Sequence, residues 1–169
     1  MTMTISQKMQ DAINEQINIE FMSSYTYLSM SAWCERESFS GSAAWMRFQS
    51  QEEKEHAMKL YEFLADRGAK IELKPIAAPP VDFASLRDVF EQALQNEIDV
   101  SASINQLYET ALHEKAYATA AELQWFLTEQ VEEEKTARLI VKKFDLIGND
   151  GPALLDLDRE LGARQPDSL

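Results

Sequence analysis

The chain has 169 residues, 45% of them hydrophobic, and its 29 acidic and 16 basic side chains give a formal net charge of −13. This charge disfavours nucleic acid as a partner, because affinity for nucleic acid depends largely on basic side chains that neutralise phosphates. A single cysteine cannot form an internal disulfide, and neither a secretory leader nor a run of about 18 apolar residues is recognisable, so we expect a protein of the reducing cytoplasm with no membrane partner.

The sequence predicts five helices in a single domain that covers residues 1–169. Only five glycines and five prolines occur, and residues that favour helices are abundant. Thr4 with Gln7 and Ser85 with Asp88 form capping boxes that indicate the starts of the first and third helices, and Gly68 suits the position just past the second. The predicted helices cover about residues 5–36, 42–67, 85–113, 117–147 and 152–161.

The lengths of the connections predict how the helices are arranged. The breaks after the first and third helices are short, so each of these helices forms an antiparallel hairpin with its successor. The segment 69–83 contains three prolines and no helical pattern. Its roughly 15 residues can span about 50 Å, more than the roughly 39 Å of a helix of about 26 residues. The expected fold is therefore an all-α four-helix bundle with a long crossover between the second and third helices and a short fifth helix at the C-terminus.

Each of the four long helices carries an apolar stripe that polar residues interrupt near mid-helix. In the third helix, the stripe from Leu86 to Ala111 contains one charged residue, Glu97. A stripe with i, i+3, i+4, i+7 spacing is the buried face of a helix, so the interrupting side chains should point into the bundle. Measured from the helix connections, they also fall at similar depths. The interrupting residues are Glu20, Glu53, His56, Glu97, Gln130 and Glu133.

Four buried carboxylates require compensation. Burying one ionised carboxylate costs on the order of several kcal/mol, whereas a domain has only about 5–15 kcal/mol of net stability. His56 is the only base at this level of the stripes. Protonation, shared protons or metal cations could compensate, and metal also accounts for the imidazole; this ligand set suits iron or manganese. A polar layer that fixes helix register is the structural alternative, although register needs one polar residue and not six.

Four runs of sequence resemble bacterial non-haem ferritin, and the resemblance extends over nearly the whole chain. The runs are NEQINIE at 14–20, SAWC at 31–34, QEEKEH at 51–56 and the segment from LQWF to EQVEEEK at 123–135. The resemblance implies a ferritin-like bundle in a hollow homo-oligomeric shell of 24 subunits. Such a shell oxidises Fe(II) with oxygen or peroxide at an intrasubunit di-iron centre, and stores the Fe(III) mineral inside.

The resemblance also implies roles for individual residues. The first iron would be held by Glu20, Glu53 and His56. The second would be held by Glu53, Glu97 and Glu133, with Gln130 close by. The positions that match a third iron site are Glu52, Glu129 and Glu132, together with Glu133. Among these residues Glu53 touches both ions and is the central catalytic ligand, and Tyr27 matches a tyrosine beside the centre.

Two departures argue against haem. Bacterioferritins that contain haem carry a second Glu-x-x-His on the fourth helix, where this chain has Gln130-x-x-Glu133. Their haem-binding methionine lies between the ligands of the second helix, where this chain has Lys54. The resemblance therefore implies iron and no haem.

Several alternatives stay open at this stage. Tyr27 could be an ordinary core tyrosine, and the carboxylates assigned to the third site could form a solvated acidic face. Trp45, with other apolar surface, is expected to be covered by neighbouring subunits. The competing functions are a di-iron carboxylate oxygenase or peroxidase on the same bundle, a DNA-protecting mini-ferritin, and a metal-free helical adaptor.

Overall fold

Five α-helices account for the regular secondary structure of this computed structural model, which describes residues 5–164. They are α1 (Gln7–Arg36), α2 (Ser40–Asp66), α3 (Leu86–His113), α4 (Tyr117–Ile147) and α5 (Gly151–Gly162). Residues 5–164 contain no strand. The all-α fold class is confirmed, and every described helix boundary lies within two residues of its predicted position.

Hydroxyl caps define the starts of two helices. The hydroxyl of Ser6 accepts a hydrogen bond from the backbone N–H of Met9 at 3.1 Å, so α1 begins after Ser6 and not at residue 5. The predicted cap Thr4 lies outside the described residues. In α3 the hydroxyl of Ser85 accepts from the N–H of Asp88 at 3.1 Å, as the capping box predicts.

The turn between α1 and α2 is tighter than the sequence suggests. Ser38 adopts a positive φ of 68°, and the N–H of Phe39 donates to the carbonyl of Cys34 at 2.8 Å. Together they reverse the chain, so α2 begins at Ser40 and not at residue 42. The short turn makes α1 and α2 an antiparallel hairpin.

The helices pack as two hairpins joined by the long crossover. α1 packs along α2, α3 packs along α4, and α1 also packs against α3. The crossover is anchored where it leaves α2 by the buried Asn14. The side-chain amide of Asn14 donates to the carbonyl of Lys70 at 2.9 Å, and its oxygen accepts from the N–H of Glu72 at 2.9 Å. The result is a four-helix bundle with a long crossover, and α5 completes it.

Two apolar clusters fill the bundle, and polar residues separate them. The first apolar cluster includes Tyr27, Trp45, Phe90 and Phe144. The second apolar cluster lies on the other side of these polar residues and includes Ile13, Leu60, Ile104 and Leu123. In each long helix the predicted interruptions lie between the segments that build the two clusters. The six interrupting side chains, hereafter the polar layer, are Glu20, Glu53, His56, Glu97, Gln130 and Glu133.

α5 is docked onto the start of α2 by a buried carboxylate. Asp158 accepts hydrogen bonds from the N–H of Gly41 at 3.1 Å, and from the N–H and the hydroxyl of Ser42, each at 2.7 Å. The positive end of the α2 dipole also favours this carboxylate. The backbones meet so closely that a Cβ added to Gly41 would lie 1.8 Å from the carbonyl oxygen of Asp158, so only glycine fits there.

The prediction that neighbouring subunits cover Trp45 is wrong. Its indole is 3% exposed and contacts the rings of Tyr27 and Phe90, with centroids 6.4 and 5.3 Å away, inside its own subunit. The large apolar side chains on the surface are others, among them Leu146 and Val131. Within residues 5–164, no helix is both long enough and apolar enough to cross a membrane.

Candidate metal centre

All six members of the polar layer are buried, as the stripes predict. Glu20, Glu53 and Glu97 have no exposed surface at all. His56, Gln130 and Glu133 are at most 7% exposed. Each lies on the inner face of its helix because it occupies a position of the apolar stripe, and the i, i+3 spacing of Glu53 and His56 puts both on one face of α2. Four helices therefore contribute side chains to one interior site.

Glu20, Glu53 and His56 form the tightest group of ligand atoms. One carboxylate oxygen from each glutamate and one imidazole nitrogen lie within 4.8 Å of one another. Nδ1 of His56 lies 3.5 Å from Oε2 of Glu53. Within residues 5–164, four buried atoms of this group have no hydrogen-bond partner: Oε2 of Glu20, both side-chain oxygens of Glu53 and Nδ1 of His56.

Buried polar atoms without partners are costly, and a protein rarely keeps four of them together. Two carboxylate oxygens and one imidazole nitrogen that lie within 4.8 Å of one another suit a divalent cation such as Fe(II). A cation there would coordinate the unpartnered atoms and offset the charge of the carboxylates. The residues of this group therefore fit a metal ion.

Burial dominates the protonation behaviour of the carboxylates. Burial, together with the nearby charge of Glu97, raises the pKa of Glu20 to about 7 and that of Glu133 to about 8. Burial also raises the pKa of Glu97, and it raises that of Glu53 well above the usual range, with the neighbouring carboxylates adding to the effect on Glu53. In the metal-free centre, protons therefore take the place of cations.

The histidine is held in its neutral form. Burial lowers the pKa of His56 to about 4. At neutral pH its imidazole carries no charge, and one ring nitrogen offers a lone pair to a metal. Its ring packs edge-on against Trp125 and Phe126, with centroids 5.3 and 6.0 Å away, and these contacts fix its orientation.

His56 also belongs to a second group of ligand atoms. One of its nitrogens and one oxygen each from Glu129 and Glu133 lie within 4.8 Å of one another. The sequence assigns His56 only to the group with Glu20 and Glu53. The structure places this imidazole between α2 and α4, within reach of both groups.

Glu97 is held by donors on both of its oxygens. The hydroxyl of Tyr27 donates to Oε1, and the amide of Gln130 donates to Oε2 at 3.2 Å. The amide of Gln130 also lies 3.3 Å from the hydroxyl of Ser101. Burial and the neighbouring carboxylates raise the pKa of Tyr27 well above its usual range, so its phenol stays protonated. Tyr27 thus has both proposed characters: its ring packs in the first apolar cluster, and its hydroxyl touches the centre.

The carboxylates assigned to a third site differ in their burial and in their partners. Glu129 is half-buried and belongs to the second ligand group. Glu52 lies 2.7 Å from a guanidinium nitrogen of Arg164. Glu132 is exposed and forms an ion pair of 3.2 Å with Lys135.

Gln16, Gln49 and Arg164 also lie near the centre, and the sequence did not predict them there. The amide of Gln16 donates to Oε1 of Glu20 at 2.8 Å, and that of Gln49 donates to Oε2 of Glu133 at 2.9 Å. Both could have been found, because Gln16 lies one turn before Glu20 and Gln49 occupies a position of the α2 stripe. The third residue, Arg164, donates to the side-chain oxygen of Gln49, and no periodicity in the sequence points to it.

Comparisons with known proteins identify the family. A family model described as a ferritin-like domain matches residues 10–147. The chain is 38% identical over 160 residues to a bacterial non-heme ferritin of Staphylococcus aureus, and 39% identical over 160 residues to one of Staphylococcus epidermidis; each alignment covers 95% of this chain and 96% of the relative.

The solved structures that superpose on this chain are also ferritins. An open-pore ferritin from the hyperthermophilic archaeon Archaeoglobus fulgidus superposes with a TM-score of 0.95 at 45% identity, over 96% of this chain and all of that one. A humanized archaeal ferritin superposes with a TM-score of 0.94 at 46% identity, over 96% of this chain and 98% of that one. With its five helices, its crossover and its interior carboxylate–histidine group, the chain belongs to the ferritin family.

Proposed function

We propose that this protein is an iron-storage ferritin that oxidises Fe(II) at a di-iron ferroxidase centre in the polar layer. The observation that carries this proposal is the set of four buried atoms on Glu20, Glu53 and His56 that could ligate a metal and have no hydrogen-bond partner. Such atoms are costly in a protein that never binds a cation, and they are useful in one whose substrate is Fe(II).

The residues divide between two substrate ions. One Fe(II) is held by Glu20, Glu53 and His56, and the other by Glu53, Glu97 and Glu133. Glu53 bridges them, and both of its oxygens are unpartnered in the metal-free protein. Gln130 orients Glu97 through its 3.2 Å hydrogen bond and is not required as a ligand itself.

The reaction is a two-electron oxidation. Each of two Fe(II) ions gives one electron to dioxygen, which takes up two protons and leaves as hydrogen peroxide. Hydrogen peroxide can in turn accept two electrons from two further Fe(II) ions, together with two protons, and become two water molecules. Carboxylates favour the product because Fe(III) is a harder cation than Fe(II) and prefers oxygen donors. At a pH below their raised pKa values, Glu20 and Glu133 are protonated. These protons are released when iron binds.

We further propose that the chain is one ferritin-like domain that assembles into a shell of 24 subunits and stores Fe(III) mineral inside it. A third iron site beside the pair would use Glu52, Glu129 and Glu133, with Glu132 contributing least. Its support is uneven: Glu129 lies against His56 and Glu133, whereas Glu132 is at the surface. No haem is expected, and a cytoplasmic location stays a prediction.

The proposal is tested by replacing the bridging ligand. Glu53→Gln removes the charge from the bridge and keeps the volume of the side chain, so the bundle should fold. We expect the initial rate of Fe(II) oxidation to fall by about 100-fold or more, since changing even an outer partner of a metal ligand costs about 10–100-fold. The rate is measured by stopped-flow absorbance of the Fe(III) product.

Glu62→Gln is the matched control, because Glu62 is an exposed glutamate on the same helix. It should leave the rate unchanged. Wild-type kinetics in an assembled Glu53→Gln protein would contradict the assignment. The sedimentation and iron content of purified particles test storage separately: a small particle with two irons per chain would instead indicate a di-iron oxygenase or peroxidase.

A further inference from the structure

Arg164 reaches the centre from outside the bundle. It lies two residues past the end of α5, and its guanidinium crosses to α2. One nitrogen lies 2.7 Å from Oε2 of Glu52, and the other donates to Oε1 of Gln49. The guanidinium carbon lies 5.1 Å from the centroid of the Trp45 ring, in a cation–π contact. The side chain of Arg164 is 19% exposed, so these contacts are partly screened from water.

These contacts fix the orientation of the Gln49 amide. A guanidinium has donors and no acceptor, so the atom of Gln49 that faces Arg164 must be the oxygen. The amide nitrogen then faces the other way and donates to Oε2 of Glu133 at 2.9 Å. Arg164 thus acts on Glu133 through Gln49: it holds the amide so that one oxygen of Glu133 is occupied by a donor.

Arg164 also supplies positive charge to this edge of the centre. The negative charge of Glu52 raises the pKa of Glu133, and the positive charge of Arg164 lowers it. The guanidinium therefore partly neutralises the negative charge that a third cation, beside the two iron ions, would need in order to bind. Arg and a metal cation compete for the same carboxylate oxygen of Glu52.

We propose that Arg164 is a positioning residue that holds Glu52 and Gln49 until a third cation displaces it. This inference rests on the proposed function. With Arg164 in place, Glu52 is paired and Gln49 presents a donor to the centre. After displacement, Oε2 of Glu52 can coordinate the cation and Gln49 can rotate its amide to present an oxygen.

The movement needs only a side chain. The backbone before Arg164 is held by the contact of Asp158 with Gly41 and Ser42, so α5 stays docked while the guanidinium leaves. Trp45 reports the change, because the guanidinium no longer lies over its ring. The first two cations bind within the polar layer and leave this contact intact.

The test is calorimetric titration of the metal-free protein with Co(II), which avoids redox chemistry. We expect wild-type protein to bind two ions per subunit tightly and a third more weakly. Arg164→Gln, which removes the charge, should tighten the third step about five- to tenfold, since losing a competing charge-assisted bond is worth roughly that factor. Arg164→Lys keeps the charge but cannot bind Gln49 and Glu52 through two separate nitrogens. Its affinity for the third ion should therefore lie between those of wild type and Arg164→Gln.

Arg159→Gln is the matched control, because Arg159 is an exposed arginine of α5 that pairs with Asp156. It should titrate as wild type.

In a Trp125→Phe background, which removes the indole that packs on His56, the third equivalent of Zn(II), a non-quenching ion, should change the fluorescence of Trp45, and this change should be absent when Arg164→Gln is added. Glu52→Gln should weaken the third step whether or not Arg164 is present.

A third step that stays within twofold of wild type in Arg164→Gln, with the first two steps intact, would overturn this inference alone. So would a fluorescence change at the third equivalent that persists without Arg164. If wild-type protein fails to bind two Co(II) ions per subunit, the proposed function itself fails, and the inference fails with it.

Discussion

At the scale of single residues, Tyr27 lies between two roles. Its ring belongs to the first apolar cluster, and its hydroxyl donates to Oε1 of Glu97. Because the phenol touches a ligand, it can supply an electron when two irons cannot fully reduce the oxidant. We expect rapid mixing of Fe(II) with oxygen to give a transient tyrosyl radical, detected by electron paramagnetic resonance.

Tyr27→Phe should remove that radical while metal binding stays nearly intact. The variant keeps the ring and removes only the hydroxyl, so Glu97 loses one of its donors. Tyr25→Phe is the control, because Tyr25 is 49% exposed and lies two residues away on α1. Persistence of the signal in Tyr27→Phe would transfer the role to another tyrosine.

Glu129 and Glu132 should differ in importance, although both lie beside a stripe residue. At about 100° per residue, Glu129 is about 70° from the middle of the stripe at Gln130 and Glu133, and Glu132 is about 130° away. The structure agrees, since Glu129 approaches His56 and Glu132 pairs with Lys135 at the surface.

We therefore expect Glu129→Ala to weaken binding of the third cation by roughly tenfold, the scale of a lost outer-shell partner. Glu132→Ala should leave it within about twofold, as for a surface ion pair. Titration with Co(II) and the later turnovers of iron oxidation measure both effects. If both variants weaken binding of the third cation equally, Glu129 and Glu132 contribute equally to the third site and this prediction is wrong.

At the scale of helices, α5 depends on one carboxylate. Asp158→Ala removes the acceptor from the N–H groups of Gly41 and Ser42, which are buried at the start of α2. Lost bonds and unsatisfied donors together should cost about 2–4 kcal/mol. Thermal unfolding and limited proteolysis after α4 measure the loss. Asp156→Ala on the same helix, where the side chain is 72% exposed, should behave as wild type.

Helix positions and the polar layer could be predicted because both follow from periodicity. A stripe residue faces the interior wherever its helix packs, so Glu97 and Glu133 had to be buried. Arg164 could not be predicted, because its position depends on how α5 docks through Asp158, a tertiary contact with no pattern in the sequence. The start of α2 was missed for a local reason, the positive φ of Ser38.

At the scale of the whole molecule, the stability of the metal-free protein should fall as pH rises from about 6.5 to 8.5. Glu20 and Glu133 have folded pKa values of about 7 and about 8, above the usual value, so their stabilisation is complete at low pH and is lost as pH rises through those values. The pKa of His56 is lowered to about 4, so its stabilisation is already complete above about 6.5.

The expected loss is on the order of 2 kcal/mol per subunit, since one unit of pKa difference is worth about 1.4 kcal/mol. Thermal denaturation across this pH range measures it. Glu20→Gln combined with Glu133→Gln should reduce the pH dependence, although the raised pKa values of Glu53 and Glu97 remain, and bound Zn(II) should reverse it. A metal-free wild-type protein that becomes more stable between these pH values would contradict the raised pKa values.

The separation of the two apolar clusters by the polar layer also affects cooperativity. Amide hydrogen exchange is usually fastest at helix ends and slowest at helix centres. Here the centres of α1 to α4 cross the polar layer, whereas the best-packed segments lie on either side of it. Without metal, each helix should show two protected stretches with a faster-exchanging stretch between them. A cation that ties four helices together at that level should merge the two regions into one cooperative unit.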